Sequence, residues 1–241
     1  MINNAAQNFW SRTLVLIPAL NEAESTPHTV AFWRRLGAEN FRIVDNGSTD
    51  NTAKVAQQTG AEVVAEPRRG YGAAAWRGLQ NLPEKIEWIL FSSADGSDGL
   101  TRDELNCWLH EIDDGADFIL GNRLSSEPSR QRLNRIQYWG NRFACWLMWL
   151  GWRREKFKDM GSLRVIRRDA LEKLHLQDRG FGWNIEMQTR AMEHGLRIVE
   201  LPVQFQARHA GRSKISGNFL GTIQASWGIL SKLAHLWMTR R

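Results

Sequence analysis

The first half of the chain alternates short apolar runs with helix-forming stretches, and every apolar run ends in a cluster of Asp, Asn, Gly or Ser. Residues 14–17 form the first run, stopped at Pro18, with a helical stretch from about 22 to 36. Residues 42–45 form the second, ending in Asp45-Asn46-Gly47-Ser48-Thr49-Asp50. Ser48, Thr49 and Asp50 suit the N-cap of a helix that closes at Gly60. Residues 62–65 are the third run, leading through Arg68-Arg69-Gly70-Tyr71-Gly72 into a helix over 73–82. Residues 88–91 are the fourth, ending in Ser92-Ser93-Ala94-Asp95-Gly96-Ser97-Asp98. Strands that alternate with such helices pair in parallel and build a doubly wound α/β sheet. Ligands of these sheets sit beyond the carboxyl ends of the strands, so the same polar clusters mark the site.

The second half is less regular. It reads as a strand over 118–121 ending in Asn122-Arg123, a helix over about 133–150 and a strand-like segment over 162–168. A helix over 183–195, strands over 197–201 and 203–207 around Pro202, and a last helix from about 219 follow. At 241 residues, 42% hydrophobic and 24% charged, with no repeat or linker, one α/β domain over 1–217 is expected, followed by an amphipathic helix over 218–241. Cys107 and Cys145 form no CxxC or Cys/His cluster. This excludes an iron–sulfur or Cys-rich zinc site and suits a reducing cytoplasm. The start lacks a basic region followed by an apolar core, so no signal peptide is expected. The longest apolar run, 143–150, is far short of the roughly 20 residues of a spanning helix.

Each candidate residue has a chemical and a plainer reading. Asp45, at a strand end, can accept from a nucleobase or ribose hydroxyl; alternatively Asp45 and Asn46 only shape a turn. Asp95 and Asp98 offer the hard oxygens that suit Mg²⁺ or Mn²⁺ at a diphosphate, or are simply turn material. The loop Gly70-Tyr71-Gly72 opens a helix as phosphate-cradling loops do, although its spacing departs from GxGxxG at Ala75. Arg208-His209-Ala210-Gly211-Arg212-Ser213-Lys214, with Arg123, can grip phosphate, or form a solvated basic turn. Asp159 and Glu186 are candidate bases, and Glu186 alternatively pairs with Arg190 one helical turn on.

Charge and tryptophan are unevenly spread. Residues 122–168 carry twelve Lys/Arg against three acids, and residues 208–241 carry six against none. Of the 12 tryptophans, Trp33, Trp76, Trp88 and Trp108 read as core or rim. Trp139, Trp146, Trp149 and Trp152 cluster among arginines, and Trp227 and Trp237 fall on the last helix. Trp flanked by Arg or Lys marks a helix lying at a membrane surface; helix packing or a homodimer face is the alternative. The basic segment lacks any nucleic-acid-binding context, and nucleic acid is not an expected partner.

Taken in order, Ile17-Pro18-Ala19-Leu20-Asn21-Glu22, Val44 to Asp50, Gly70-Tyr71-Gly72-Ala73, Ala94-Asp95-Gly96, Gly121-Asn122-Arg123 and Arg208 to Lys214 resemble glycosyltransferase family 2. The branch is that of dolichyl-phosphate mannose synthases and bacterial polyprenyl-phosphate glycosyltransferases, and the resemblance runs from about Leu14 to Gly217. It implies a GT-A fold, with a nucleotide-sugar half over 1–121 and an acceptor half over 122–217. It also implies a nucleotide-diphosphate-sugar donor, a Mg²⁺ or Mn²⁺ cofactor and a lipid-linked phosphate acceptor. By position, Pro18, Asn21, Glu22 and Asp45 would hold the nucleoside, and Asp95 the metal. Arg123, Arg208, Ser213 and Lys214 would hold phosphates. Asp159 would be base or acceptor-orienting group, and Arg164 the arginine of the segment after it. The family's Asp-x-Asp reads Ser93-Ala94-Asp95 here, so either Asp98 substitutes for the first carboxylate or the metal is held through Asp95 and the diphosphate. The expectation is an inverting glycosyltransferase, cytoplasmic and peripheral at the membrane. A non-catalytic nucleotide-sugar binder, or a transferase to a sugar or lipid hydroxyl, is the alternative.

Overall fold

The computed structural model describes residues 4–154, 157–210 and 219–239, with side chains of the last segment from 227 onward. In chain order the elements are α1 (Asn4–Ser11), β1 (Thr13–Ala19), α2 (Thr26–Arg35), β2 (Asn40–Asp45), α3 (Thr52–Gln58), β3 (Glu62–Ala65), α4 (Tyr71–Gly78), β4 (Trp88–Phe91), β5 (Asp98–Gly99) and α5 (Arg102–Asp113). There follow β6 (Phe118–Asn122), α6 (Glu127–Gln131), α7 (Arg135–Trp152), β7 (Arg164–Arg167), α8 (Arg168–Lys173), α9 (Trp183–Glu193), β8 (Ile198–Pro202), β9 (Gln204–Phe205) and α10 (Phe219–Thr239).

Seven strands form one sheet in the order β3-β2-β1-β4-β7-β6-β8, and β5 pairs with β9 beside it. The sheet is parallel except at β7, which runs antiparallel to both β4 and β6. Side chains alternate between two covered faces, so the strands read as unbroken apolar runs. Val15 and Ile17 of β1 join Trp10, Trp33 and Trp108 from α1, α2 and α5 on one face. Leu14 and Leu16 join Ala74, Met148, Trp183 and Leu236 from α4, α7, α9 and α10 on the other.

The structure sharpens several expected boundaries. The helix expected from 22 begins at Thr26, because Asn21 adopts a left-handed φ of 49° and residues 22–25 turn first. α3 takes Asn51 as N-cap with no side-chain cap bond; Asp50 Oδ1 instead accepts the Thr52 N–H at 2.9 Å. The strand-like 162–168 contracts to β7, followed at once by α8. Helices α1, α5, α6 and α8 had no place in the sequence reading. For α5 the signal was present, since Thr101 and Glu104 make a reciprocal capping box.

Candidate active site

The carboxyl ends of β1, β2 and β4 meet, because Ala19 lies opposite Asp45 and Leu16 opposite Phe91. Pro18, Asn21, Glu22 and Asp45 therefore gather at one end of the sheet. Asn21 is locked there twice: its N–H donates to Ser48 Oγ at 2.9 Å and its Oδ1 accepts the Thr49 N–H at 2.7 Å. The Glu22 N–H donates to Thr52 Oγ1 at 2.8 Å, and Asp45 Oδ1 accepts the Ser48 N–H at 3.3 Å.

Asn46 and Gly70 build this end through the loop that joins β3 to α4. Asn46 Nδ2 donates to the carbonyls of Glu66 and Arg68 at 2.9 and 2.7 Å, and Oδ1 accepts the Gly70 N–H at 2.9 Å. Its amide is engaged in holding the loop 66–70 against β2 rather than in facing a ligand. The loop at Gly70 is likewise engaged with neighbouring backbone. The Gly72 and Ala73 N–H groups donate to the carbonyls of Gly180 and Arg179 at 3.0 and 2.9 Å, so these helix-opening donors are already paired. Glycine is required at position 70: its φ is +145°, and a Cβ would stand 2.3 Å from the Arg179 carbonyl oxygen.

At the end of β4, Asp95 is pinned by one oxygen. Oδ1 accepts from Ser93 Oγ (2.7 Å), the Ser97 N–H (2.9 Å) and Ser97 Oγ (2.6 Å). Oδ2 faces Arg208, whose Nη1 donates at 2.7 Å, while Arg208 Nη2 pairs with Glu22. The segment carrying Arg208 is held by the His209 N–H on the Asp95 carbonyl (2.9 Å) and by a His28–His209 ring stack at 4.2 Å. The sequence reading gave Arg208 to phosphate; here it bridges two carboxylates, with its buried Nε lacking a partner. Ser213 and Lys214 lie outside the described residues.

Asp98 does not join Asp95 as a ligand. It is buried in β5, accepting the Ser93 N–H at 2.7 Å and Ser162 Oγ at 3.0 Å. Burial, with Asp95 nearby, pushes its carboxyl up to about 6. Among the described residues no three or more His, Cys, Asp or Glu are grouped to hold a metal. The donor set nevertheless fits one mode. Mg²⁺-type sites use one or two carboxylates and complete their shell with water and substrate phosphate oxygens, and Asp95 Oδ2 is one such oxygen.

At the end of β6, Arg123 and Asp159 form a closed pair. Asp159 Oδ2 accepts the Arg123 backbone N–H and Nε at 2.8 and 2.9 Å, and Oδ1 accepts Nη2 at 2.7 Å and the Met160 N–H at 2.7 Å. The Asp159 side chain is 0% exposed. Burial would raise its carboxyl, but the Arg123 charge and these hydrogen bonds outweigh burial and hold it below the usual carboxylate range.

Arg164 and Glu186 stand away from the cleft surface. Arg164 lies within the sheet, opposite Phe91 and Leu120, and is 0% exposed. It donates to the Gly161 carbonyl, and burial lowers its guanidinium to about 10. Glu186 does not pair with Arg190, which pairs with Glu193. It is buried, accepts the N–H groups of Gln177 and Asp178 at 3.0 and 2.7 Å, and pairs with Lys232 of α10 at 2.8 Å. The base role assigned to Glu186 has no support in this geometry. Tyr71 Oη and Arg164 Nε are buried without a hydrogen-bond partner, as are Asn184 Oδ1 and Gln188 Oε1, two residues to which the sequence reading gave no role. Nothing in the local pattern around Asn184 and Gln188 marks them as buried polar groups.

The model of the family described as "Glycosyl transferase family 2" matches residues 14–175. An uncharacterized glycosyltransferase of Mycobacterium tuberculosis is 37% identical over 90% of this chain and 97% of its own length. The polyprenol monophosphomannose synthase of Mycolicibacterium smegmatis is 30% identical over 92% of this chain and 89% of its own. Glucosyl-3-phosphoglycerate synthase from M. tuberculosis, crystallised with Mn²⁺, uridine diphosphate and phosphoglyceric acid, superposes with a TM-score of 0.75 at 18% identity, covering 98% of this chain and 82% of that one. The doubly wound sheet is thus the GT-A fold, and the chain belongs to glycosyl transferase family 2.

Proposed function

We propose that this glycosyltransferase moves a hexose from a nucleotide-diphosphate sugar to a lipid-linked phosphate. One observation carries the choice of acceptor: both candidate bases are spent. Asp159 accepts four N–H groups and Glu186 two, together with Lys232. A hydroxyl acceptor needs a carboxylate free to take its proton, whereas a phosphate oxygen arrives ionised. The name of the Mycolicibacterium relative supports the same class of acceptor.

In this reading Pro18, Asn21, Glu22 and Asp45 receive the nucleoside, and Arg123, fixed by Asp159, orients the acceptor phosphate. A phosphate oxygen forms the new bond to the anomeric carbon as the bond to the donor diphosphate breaks, with inversion, and the nucleoside diphosphate leaves. Alignment and charge neutralisation supply the catalysis. Asp95 would hold a divalent ion, whose charge would supply neutralisation of the departing diphosphate. Arg208, which bridges Asp95 and Glu22, would stand beside the phosphate oxygens of the donor. Residues 1–121 act as the donor half and 122–217 as the acceptor half.

The test is an acceptor comparison in detergent with GDP- and UDP-sugars and Mn²⁺, using a polyprenyl phosphate, the corresponding polyprenol and phosphoglycerate. Product on the polyprenyl phosphate alone is expected. Turnover on the polyprenol or phosphoglycerate, with none on the phosphate lipid, refutes the proposal.

A further inference from the structure

Among the described residues, nine large apolar side chains are exposed, and eight lie on α7 and α10. On α7 they are Ile136, Trp139, Phe143 and Trp146, a spacing that lines one face of a helix. The opposite face buries Asn141, Ala144, Cys145 and Met148. Among the described side chains of α10, Leu233 and Leu236 are buried, while Trp227, Leu230, Trp237 and Met238 are exposed. The two helices touch where the Trp237 ring lies against Gly151. Soluble monomers expose such residues singly; a patch of this size marks a docking surface.

We propose that the outer faces of α7 and α10 form one surface that lies on an anionic lipid bilayer. Charge decides the occupant. From 128 to 154 the chain carries six arginines and no acid, and 219–239 also has no acid. The exposed Arg142 and Arg153 lie over the rings of Tyr138 and Trp149 at 5.7 and 4.7 Å. A second copy docked by a two-fold axis would set these arginines against their own kind. Anionic headgroups neutralise them, and Trp rings favour the headgroup layer. No helix of the described residues is long and apolar enough to cross, so the contact is interfacial.

The surface is wired to the acceptor end of the cleft. From the buried side of α7, Asn141 Nδ2 donates to the Lys158 carbonyl at 3.2 Å and Oδ1 accepts the Met160 N–H at 2.8 Å. The helix on the bilayer therefore holds the turn carrying Asp159, and through it Arg123. Roughly one helix diameter, about 10 Å, separates the two sides of α7. A lipid phosphate can then be met at the headgroup layer while its chain stays in the membrane. This step rests on the lipid-linked acceptor proposed above.

The full chain is tested by vesicle flotation, with phosphatidylcholine alone and with added phosphatidylglycerol. The wild type should float with the anionic vesicles, and less so in high salt. Trp139→Ser/Phe143→Ser and Trp227→Ser should each lose roughly tenfold or more in partitioning, with unchanged melting. They should keep transfer to a short water-soluble prenyl phosphate and lose it to a long-chain one in vesicles. Absence of flotation by the wild type, equal flotation by the variants, or a solution dimer that Trp139→Ser dissociates would overturn the proposal. Failure to transfer to any phosphate in detergent would instead remove the acceptor reading and leave flotation standing.

Discussion

Asp159→Asn separates an anchor from a base. The carboxylate is wholly buried and accepts three hydrogen bonds from Arg123, at 2.7–2.9 Å, and one from Met160. Asparagine keeps the volume but offers one oxygen, and its NH₂ meets guanidinium N–H groups. Arg123 is then left with Asp98 as the remaining carboxylate that its charge feels. Removing one partner of a buried ion pair costs about 3–5 kcal/mol. Because the Arg123 side chain is 16% exposed, the low end applies, ~3 kcal/mol. At roughly 2–4 °C per kcal/mol for a chain of this size, Tm should fall by about 6–12 °C. The sign with pH follows from the depressed carboxyl. Its stabilisation is present above the unfolded value and is lost as pH falls through the folded one, so the two proteins converge in acid. In kinetics an anchor raises KM for the acceptor phosphate and leaves the shape of the pH profile unchanged. The pair Asp159→Asn/Arg123→Met should cost less than the summed single changes. The reasoning fails if Asp159→Asn melts within about 2 °C of the wild type, or if it loses turnover and the acidic limb of the pH profile at unchanged KM.

Other consequences follow from single contacts. Asp98, raised to about 6, stabilises the fold as the neutral acid below its unfolded value, and this is lost as pH rises through about 6. Asp98→Asn should therefore stabilise the chain at neutral pH by up to ~3 kcal/mol and be indistinguishable near pH 4, read as melts in EDTA; a pH-independent difference refutes this. Lys232→Met leaves Glu186 buried without its cation, at a cost of about 3 kcal/mol. Hydrogen exchange should accelerate along α10, and protection unchanged from wild type would show that the pair does not anchor it. Gly70→Ala drives a Cβ into the Arg179 carbonyl; displacement of the loop should weaken donor binding by tenfold or more, checked by calorimetry with the nucleotide.

Loop chemistry made much of the molecule legible before any coordinates. Strand ends that must turn, cap helices and present oxygens draw on Asp, Asn, Gly and Ser, and β1, β2 and β4 converge where those residues cluster. Local composition says nothing about which charges meet. Arg123 and Asp159 were read as a phosphate grip and a base because they stand 36 residues apart; as a pair, each sets what the other can do. Arg208 meets Asp95 across 113 residues and Glu22 across 186. The cause is topological. β7 runs antiparallel between β4 and β6, so the chain entering it returns from α7 to the ends of both strands. That return sets Asp159 beside Arg123 and Ser162 beside Asp98. A pattern of apolar runs records that β7 is a strand, but not its direction, and the direction decides which carboxylate is left free to act. The pairing of Asp159 with Arg123 was hidden for that reason, whereas the strand-end turns at Asn21, Asp45 and Asp95, whose chemistry is local, were legible.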